Sequence, residues 1–247
     1  KFRLQEYENK TAPVAEFYKE KGIYVPIQGH GPIEKINQKL EEAIAVELRK
    51  VLFNVVLLGY PGAGCGTQAR LLAKKYNLVY VSTRELIRTE IEKNTLTGQA
   101  VKPIFDRGGL VPDEIVIQLI ERKMAKHPEA NGFIFKGFPR TIVQGYILDG
   151  MLRKIDSSVS CIVDIQLSTL DLIKRLDARG KTDRRMSYDL ETATIVKRLE
   201  EHEQKCLPLV GYYQRTAEVT AIDGTGSPEE VFARIEGPVE RAWRKAR

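Results

Sequence analysis

The stretch GYPGAGCGTQ, residues 59–68, decides how this chain folds. It follows VLFNVVLL (51–58), a short apolar run rich in β-branched residues, and it opens onto TQARLLAKKY (67–76), whose apolar residues recur at helical spacing. A glycine-rich loop between a strand and a helix turns its backbone N–H groups inward, where they bind phosphate at the helix N-terminus. This order of strand, loop and helix therefore predicts a site for a polyphosphate.

One residue departs from the phosphate-loop pattern G-x-x-x-x-G-K-[ST], because Cys65 stands where the pattern has lysine. The lysine ammonium of that pattern follows the β- and γ-phosphates, and a thiol offers neither its charge nor its hydrogen bonds. The glycines thus keep the phosphate cradle while the charge needed for transfer is missing. Since a helix N-terminus can lower the pKa of a thiol, Cys65 is also a candidate reactive cysteine.

The rest of the chain alternates strands with helices. Apolar runs predict further strands at 78–82, 132–137, 161–167 and 218–223. Helical patterns lie between them, at 84–93, 98–107, 113–126, 142–154, 168–179, 191–205 and 207–215, with a final helix from Ser227. This order is typical of a doubly wound parallel sheet whose ligands bind at the carboxyl ends of the strands. We therefore predict an α/β fold, a five-stranded parallel sheet flanked by helices.

A long internal repeat sets the domain organisation. RLQEYENKTAPVAEFY (3–18) reappears as RLEEHEQKCLPLVGYY (198–213), and IQGHGPIE (27–34) reappears as IDGTGSPE (222–229), both at an offset of 195 residues. An offset of that size is about one domain, so we interpret residues 1–50 as the end of one unit plus a joining helix, and 51–247 as a second, complete unit. We expect a longer parent with an upstream unit.

Composition narrows the class of protein. No apolar stretch approaches the ~20 residues that a membrane span needs, and no signal-peptide pattern is present. We therefore expect a cytoplasmic protein with no membrane partner. The net charge of +6 suits an anionic ligand, and the phosphate loop favours nucleotides over nucleic acid. Cys65, Cys161 and Cys206 are too widely spaced for a zinc clip, so no zinc is expected.

Four signatures give residues 51–241 a close resemblance to adenylate kinases. GYPGAGCGTQ is similar to the family's GxPGxGKGTQ, STRELIR (82–88) to STGDLLR, GGLVPDEIV (108–116) to GxLVPD, and GFIFKGFPRTIVQ (132–144) to GFIxDGFPRTxxQ. Residues 1–48 resemble the last fifth of such an enzyme. The resemblance implies the reaction ATP + AMP ⇌ 2 ADP with Mg²⁺, a small helical AMP-binding insertion at about 82–112 and a short lid at about 180–190.

The same resemblance assigns residues to the two nucleotides. The AMP site would comprise Thr83, Arg88, Gly109, Leu110, Val111, Gly137, Phe138, Pro139, Arg140 and Gln144. The ATP site would comprise Gly62, Ala63, Gly64, Cys65, Gly66, Thr67, Arg175, Arg179 and Gly226. Arg185 and Arg198 would close on the phosphates, which makes them the predicted catalytic residues together with Arg140. No side chain is expected to bind the metal directly.

The departures from the family pattern lie at positions that take part in the reaction rather than in packing. Besides Cys65, Lys136 replaces the aspartate that helps to hold hydrated Mg²⁺, and Arg84 replaces a glycine. The lid pattern R-x-D-D becomes RMSY (185–188), without its two carboxylates. Removing one preorganised donor from a transition-state site costs about 10²–10³ in rate, and a cation on the metal side should weaken Mg²⁺ binding as well.

Three functions remain open from the sequence. In the first, the unit binds ATP, ADP and AMP, turns over slowly, and serves an upstream adenylate kinase-like unit in cis as a regulatory or structural partner. In the second it is an active nucleoside monophosphate kinase in which Lys136, as a substitute catalytic cation, supplies the lost charge. In the third it is a non-catalytic interaction module with an empty site.

Overall fold

The computed structural model describes residues 12–21, 24–49, 52–106, 109, 111–182, 185–186 and 189–246. The chain divides into two compact units, Lys1–Lys50 and Val51–Arg247. In the first unit, helix α1 spans Ala12–Glu20 and helix α2 spans Ile33–Arg49. The apolar stripe of α2 is open to solvent, with Ile33 75% and Ile44 54% exposed.

The second unit alternates strands and helices from its first strand to its last helix. Its elements are β1 Val55–Gly59, α3 Cys65–Tyr76, β2 Val79–Ser82, α4 Thr83–Glu92, α5 Leu96–Asp106, α6 Asp113–Ala125, β3 Phe133–Lys136, α7 Ile142–Arg153, β4 Cys161–Gln166, α8 Thr169–Gly180, α9 Thr192–Thr216, β5 Val219–Asp223 and α10 Pro228–Lys245. Two of these helices begin at the predicted serines. Ser168 is the N-cap of α8, and Ser227 is the N-cap of α10, where it forms a capping box with Glu230.

The strands form one parallel sheet in the order β2-β3-β1-β4-β5. This confirms the predicted five-stranded parallel sheet. Strand β1 is central, and its neighbour β3 places Lys136 opposite Leu57. The loop that follows β1 therefore lies at the carboxyl edge of the sheet, where ligands of such folds bind, and Lys136 reaches the same edge from the next strand.

Alternate residues of β1 enter the two apolar layers of the core, since successive strand side chains point to opposite faces. Val55 and Leu57 pack in the layer covered by α3, α8 and α10. Val56 and Leu58 pack in the layer covered by α4, α5, α6 and α7. Helix α9 contributes to both layers, so it connects the two faces of the sheet beside the carboxyl edge.

Helix α9 is one helix of 25 residues, so the two helical ranges predicted at 191–205 and 207–215 are continuous in the structure. Pro208 lies inside it, where a proline removes one backbone hydrogen bond and crowds the preceding turn. Its neighbours Cys206 and Leu209 are buried, as are Tyr212 and Tyr213 one turn later. Packing of these side chains stabilises the helix through the proline.

Candidate functional site

The loop after β1 has the backbone of a phosphate cradle. Gly59, Gly62 and Gly64 all have positive φ angles, of 146°, 94° and 96°, which side chains rarely tolerate. A Cβ on Gly59 would lie 2.8 Å from the carbonyl oxygen of Ile165, whereas a Cβ on Gly64 would meet no atom within 4 Å. The loop is thus packed against the sheet on one side and open to a ligand at the start of α3. The predicted ATP-site segment also includes Ala63, Gly66 and Thr67, of which Thr67 is exposed.

The thiol of Cys65 points away from that open side. It donates a hydrogen bond to the carbonyl oxygen of Leu58 at 3.4 Å, and the residue is only 8% exposed. Burial raises the pKa of the Cys65 thiol to about 11. The expectation of a lowered pKa and a reactive thiol is therefore wrong, because desolvation outweighs the helix N-terminus.

The side chain of Lys136 crosses from β3 to the loop. A Cβ on Gly66 would lie 3.9 Å from Lys136 Cε, so the lysine stem stands beside the first turn of α3. Burial lowers the pKa of its ammonium, and the positive charges of Arg140, Arg84 and Arg179 lower it further. These four positive charges repel one another, and an anionic ligand bound among them would relieve the repulsion.

A cavity of about 370 Å³ adjoins this charge cluster, within the range of small-molecule pockets. The residues of the predicted site that line it are Thr83, Gly109, Val111, Lys136, Gly137, Arg140, Gln144, Arg179 and Arg198. One cavity is therefore lined by most residues of the predicted AMP site. It is also lined by Arg179, predicted for the ATP site, and by Arg198, predicted to close on the phosphates.

Residues on the AMP side hold one another in place. Thr83 Oγ1 and Arg140 Nε both donate to the carbonyl oxygen of Gly137, at 3.2 and 2.8 Å. The backbone N–H of Arg140 donates to Gln144 Oε1 at 2.8 Å, and Gln144 Nε2 donates to Asp113 Oδ1 at 2.8 Å. Gly137 has φ 77°, and a Cβ there would lie 3.0 Å from Thr83 Oγ1, so the tight turn requires glycine.

Other predicted residues lie outside the cavity. Arg88 is exposed on α4 and donates through Nε to Glu92 at 2.7 Å. Arg175 donates to the carbonyl oxygens of Gly224 and Gly226, at 2.9 and 3.3 Å, so it braces the loop between β5 and α10. The side chain of Arg185 is exposed.

The remaining predictions fall on packing or outside the structure. Phe138 is 1% exposed and belongs to the apolar core beneath the cavity, and Pro139 beside it is also buried. Leu110 lies outside the described residues. Phe138 and Pro139 are not among the residues that line the cavity.

Asp189, within the range predicted to be the lid, is a residue that the sequence motifs did not identify. Arg179 donates to both carboxylate oxygens of Asp189, each at 2.7 Å, and the backbone N–H of Met186 donates to the same carboxylate at 2.8 Å. Asp189 is 3% exposed. One acidic side chain therefore lies next to the altered pattern at 185–188, and it connects the end of α8 to the predicted lid through a bidentate, charge-assisted contact.

His202 of α9 is a second residue that the sequence did not single out. It lines the cavity, and its ring centroid lies 4.5 Å from that of Tyr60 in the phosphate loop. Burial lowers the pKa of His202 to about 4, and the charges of Arg140 and Arg198 contribute to the shift. The imidazole is therefore neutral at pH 7, and it connects α9 to the loop by a tilted ring contact with an interplanar angle of 48°.

The cavity wall does not fit a magnesium ion. Its carboxylates are already engaged, because Asp113 accepts from Gln144 and Glu201 accepts from Arg198 at 2.9 Å. At the end of β3, where the family pattern has aspartate, Lys136 presents an ammonium. In the part of the chain that the structure describes, no cluster of three metal-ligating side chains occurs.

The same described ranges contain no helix long and apolar enough to cross a lipid bilayer.

Comparison with known proteins identifies the family of this chain. The family model described as "Adenylate kinase" matches residues 57–218. The chain is similar to the adenylate kinase of Flavobacterium johnsoniae, 38% identical over 189 residues, which are 76% of this chain and 99% of that protein. It is 39% identical over 188 residues to the adenylate kinase of Parabacteroides distasonis (76% and 98%), and 37% identical over 181 residues to that of Thermus thermophilus (73% and 94%).

Proposed function

This chain belongs to the adenylate kinase family, and from that premise we propose that its second unit binds ATP, ADP and AMP but transfers the phosphoryl group slowly. The orientation of Cys65 carries the proposal. The buried thiol donates its hydrogen bond to Leu58 of β1, so the side chain at the position where the family has a lysine offers no charge and no donor to the β- and γ-phosphates.

Nucleotide binding rests on the groups that remain. We propose that the monophosphate occupies the cavity against Thr83, Gly137, Arg140 and Gln144, whose mutual hydrogen bonds hold them in place without ligand. The donor phosphates would lie on the open side of the loop at Gly64. Such preorganised donors and cations lose little entropy when a phosphate binds.

The lid side of the proposal involves residues at the end of α8 and in α9. Arg179 and Arg198 line the cavity, and closure over a nucleotide would bring them onto the phosphates and exclude water. Arg175 and Gly226 would act on the donor side by shaping the loop before α10. Arg185 remains a proposed phosphate ligand, and its side chain would have to turn inward from its exposed position.

Calorimetry with diadenosine pentaphosphate tests the binding half of this proposal, because the compound joins two adenosines through phosphates. We expect one molecule to bind per chain, while ADP formation from ATP and AMP runs about 10²–10³ below that of the Thermus thermophilus relative assayed under the same conditions. Absence of binding would contradict the proposal and would favour the interaction-module class.

One observation favours a second candidate, an active kinase in which Lys136 replaces the lost loop cation. The lysine Cε lies close to the start of α3, 3.9 Å from a Cβ placed on Gly66. The variant Lys136→Ala separates the two candidates. Turnover unchanged within about threefold supports the impaired unit, whereas its loss by more than about 10²-fold assigns the catalytic charge to Lys136.

We also propose that residues 1–50 derive from the end of another adenylate kinase-like unit, which would be the partner of this unit in cis. Shifted by 195 residues, α2 (Ile33–Arg49) falls on α10 (Pro228–Lys245). Leu40, which is 39% exposed, corresponds to Ile235, which is fully buried against the sheet. The apolar stripe of α2 thus has the pattern of a helix that covers such a sheet.

A fusion tests this origin. Joining a second copy of residues 51–197 in front of Arg3 would complete a unit around α2, because Arg3 corresponds to Arg198. We expect the backbone amides of α2 to exchange with deuterium at least tenfold more slowly in the fusion than in the present chain. Unchanged exchange would contradict the origin, and the same fusion with Leu40→Asp is the matched control, in which protection should be lost.

A further inference from the structure

Two arginines on α4 are one helical turn apart and have different surroundings. Arg84 lines the cavity, whereas the side chain of Arg88 is 69% exposed and pairs with Glu92 one turn further along the same helix. The resemblance assigned the monophosphate to Arg88, and at position 84 the family pattern has glycine. The structure thus brings an additional arginine to the cavity and turns the expected one away.

Arg84 spans the cavity between the insertion and the lid. Its guanidinium carbon lies 5.1 Å from the ring centroid of Phe105 in α5, a cation–π contact, and its Nη1 contacts Met186 of the lid. These contacts hold the long side chain in one direction, and the cost of ordering it is met before a ligand binds.

The charges around Arg84 indicate the kind of ligand. Arg84, Arg140 and Arg179 each lower the pKa of the Lys136 ammonium, so the four cations lie within electrostatic reach of one another. A doubly charged phosphate placed among them replaces mutual repulsion by attraction in a partly buried site. The bidentate geometry of a guanidinium suits such a group.

We propose that Arg84, and not Arg88, is the α4 side chain that binds the phosphate of the nucleoside monophosphate. The proposal rests on the proposed nucleotide binding and adds a recognition residue at a position where the family pattern has no side chain. It makes the lid sensitive to the monophosphate, because Arg84 contacts Met186 and the phosphate through the same guanidinium.

Calorimetric titration of the full chain with AMP and with adenosine tests this assignment. The variant Arg84→Met keeps an apolar stem against Phe105 and Met186 but removes the charge, and Arg88→Met is its matched control one turn away. We expect Arg84→Met to weaken AMP binding about 10-fold with adenosine binding unchanged, and Arg88→Met to weaken AMP binding less than threefold.

Unchanged adenosine binding also shows that the variant is folded. A larger loss of AMP affinity in Arg88→Met than in Arg84→Met would overturn the assignment. Equal losses for AMP and adenosine in Arg84→Met would overturn it too, because Arg84 would then act by packing alone.

If the unsubstituted chain binds adenosine and diadenosine pentaphosphate but Arg84→Met leaves AMP affinity intact, the proposed function stands and this inference fails. If the unsubstituted chain binds no nucleotide, both fail.

Discussion

The double substitution Cys65→Lys with Lys136→Asp will raise the rate of ADP formation from ATP and AMP by about 10²–10³. The first change returns an ammonium to the loop, where it can follow the transferring phosphoryl group. The second removes a cation from the end of β3 and places a carboxylate where the family pattern has one. A coupled assay of ADP formation at saturating ATP, AMP and Mg²⁺ measures the effect.

The two single variants are the controls, and they should show that the positions are coupled. Cys65→Lys alone places a second ammonium near Lys136, whose pKa is already lowered by burial and by neighbouring arginines. Lys136→Asp alone removes the lysine that stands beside the first turn of α3. We expect each single change to raise the rate less than about tenfold, so the gain of the double variant exceeds the product of the single gains.

Equal rates for the double variant and the unsubstituted chain would contradict the proposal that these two positions limit transfer. In that outcome the impairment would have to involve other parts of the site, such as the lid. A high rate in the unsubstituted chain, lost in Lys136→Ala, would instead support the relocated lysine.

The sequence was sufficient to predict the sheet, because the signals for its strands are local. Apolar runs of four to eight residues followed by turns located every strand, and the glycine loop fixed which strand ends at the ligand edge. Helix α9 shows the limit of local signals. The helical pattern predicts two ranges, 191–205 and 207–215, and the burial of Leu209 and Tyr213 in the tertiary structure holds them in one helix.

Side-chain direction at the site could not be predicted from the motifs. Cys65 and Lys136 were identified as departures, but only the pairing of Leu57 with Lys136 brings the lysine to the loop, and only the packing of β1 turns the thiol inward. Arg84 and Arg88 are four residues apart, so the helical period places both on the same face of α4 and does not distinguish them. Glu92, one turn beyond Arg88, holds that arginine on the solvent side, a contact that competes with the role that the motif implies.

The second large effect is expected at Arg140. Its Nε donates to Gly137, its backbone donates to Gln144, and its charge acts on both Lys136 and His202. Hydrogen bonds to charged groups contribute about 1.5–3 kcal/mol each, so Arg140→Met should weaken AMP binding about 10²-fold or more. Calorimetry measures the loss, and adenosine, which lacks the phosphate, should lose less than threefold.

Arg153→Met is a matched control for Arg140→Met, because Arg153 is exposed at the end of α7 and donates to the carbonyl oxygen of Asp149 on the same helix. It should leave AMP binding unchanged. Comparable losses in both variants would indicate a general charge effect and would contradict a direct contact of Arg140 with the phosphate.

Arg140→Met should also change how stability depends on pH. The pKa of His202 is about 4 in the folded chain, below its ordinary value. Between about pH 6.5 and pH 4 the imidazole is therefore protonated in the unfolded state and neutral in the folded state. Because the unfolded state binds more protons, the free energy of unfolding decreases as the pH falls through this range. Removing the Arg140 charge should raise the pKa of His202 and reduce this loss. A titration of the His202 ring by NMR, with Arg153→Met for comparison, measures the shift. An unchanged pKa would show that burial and the charge of Arg198 set it, and that the charge of Arg140 does not act on His202.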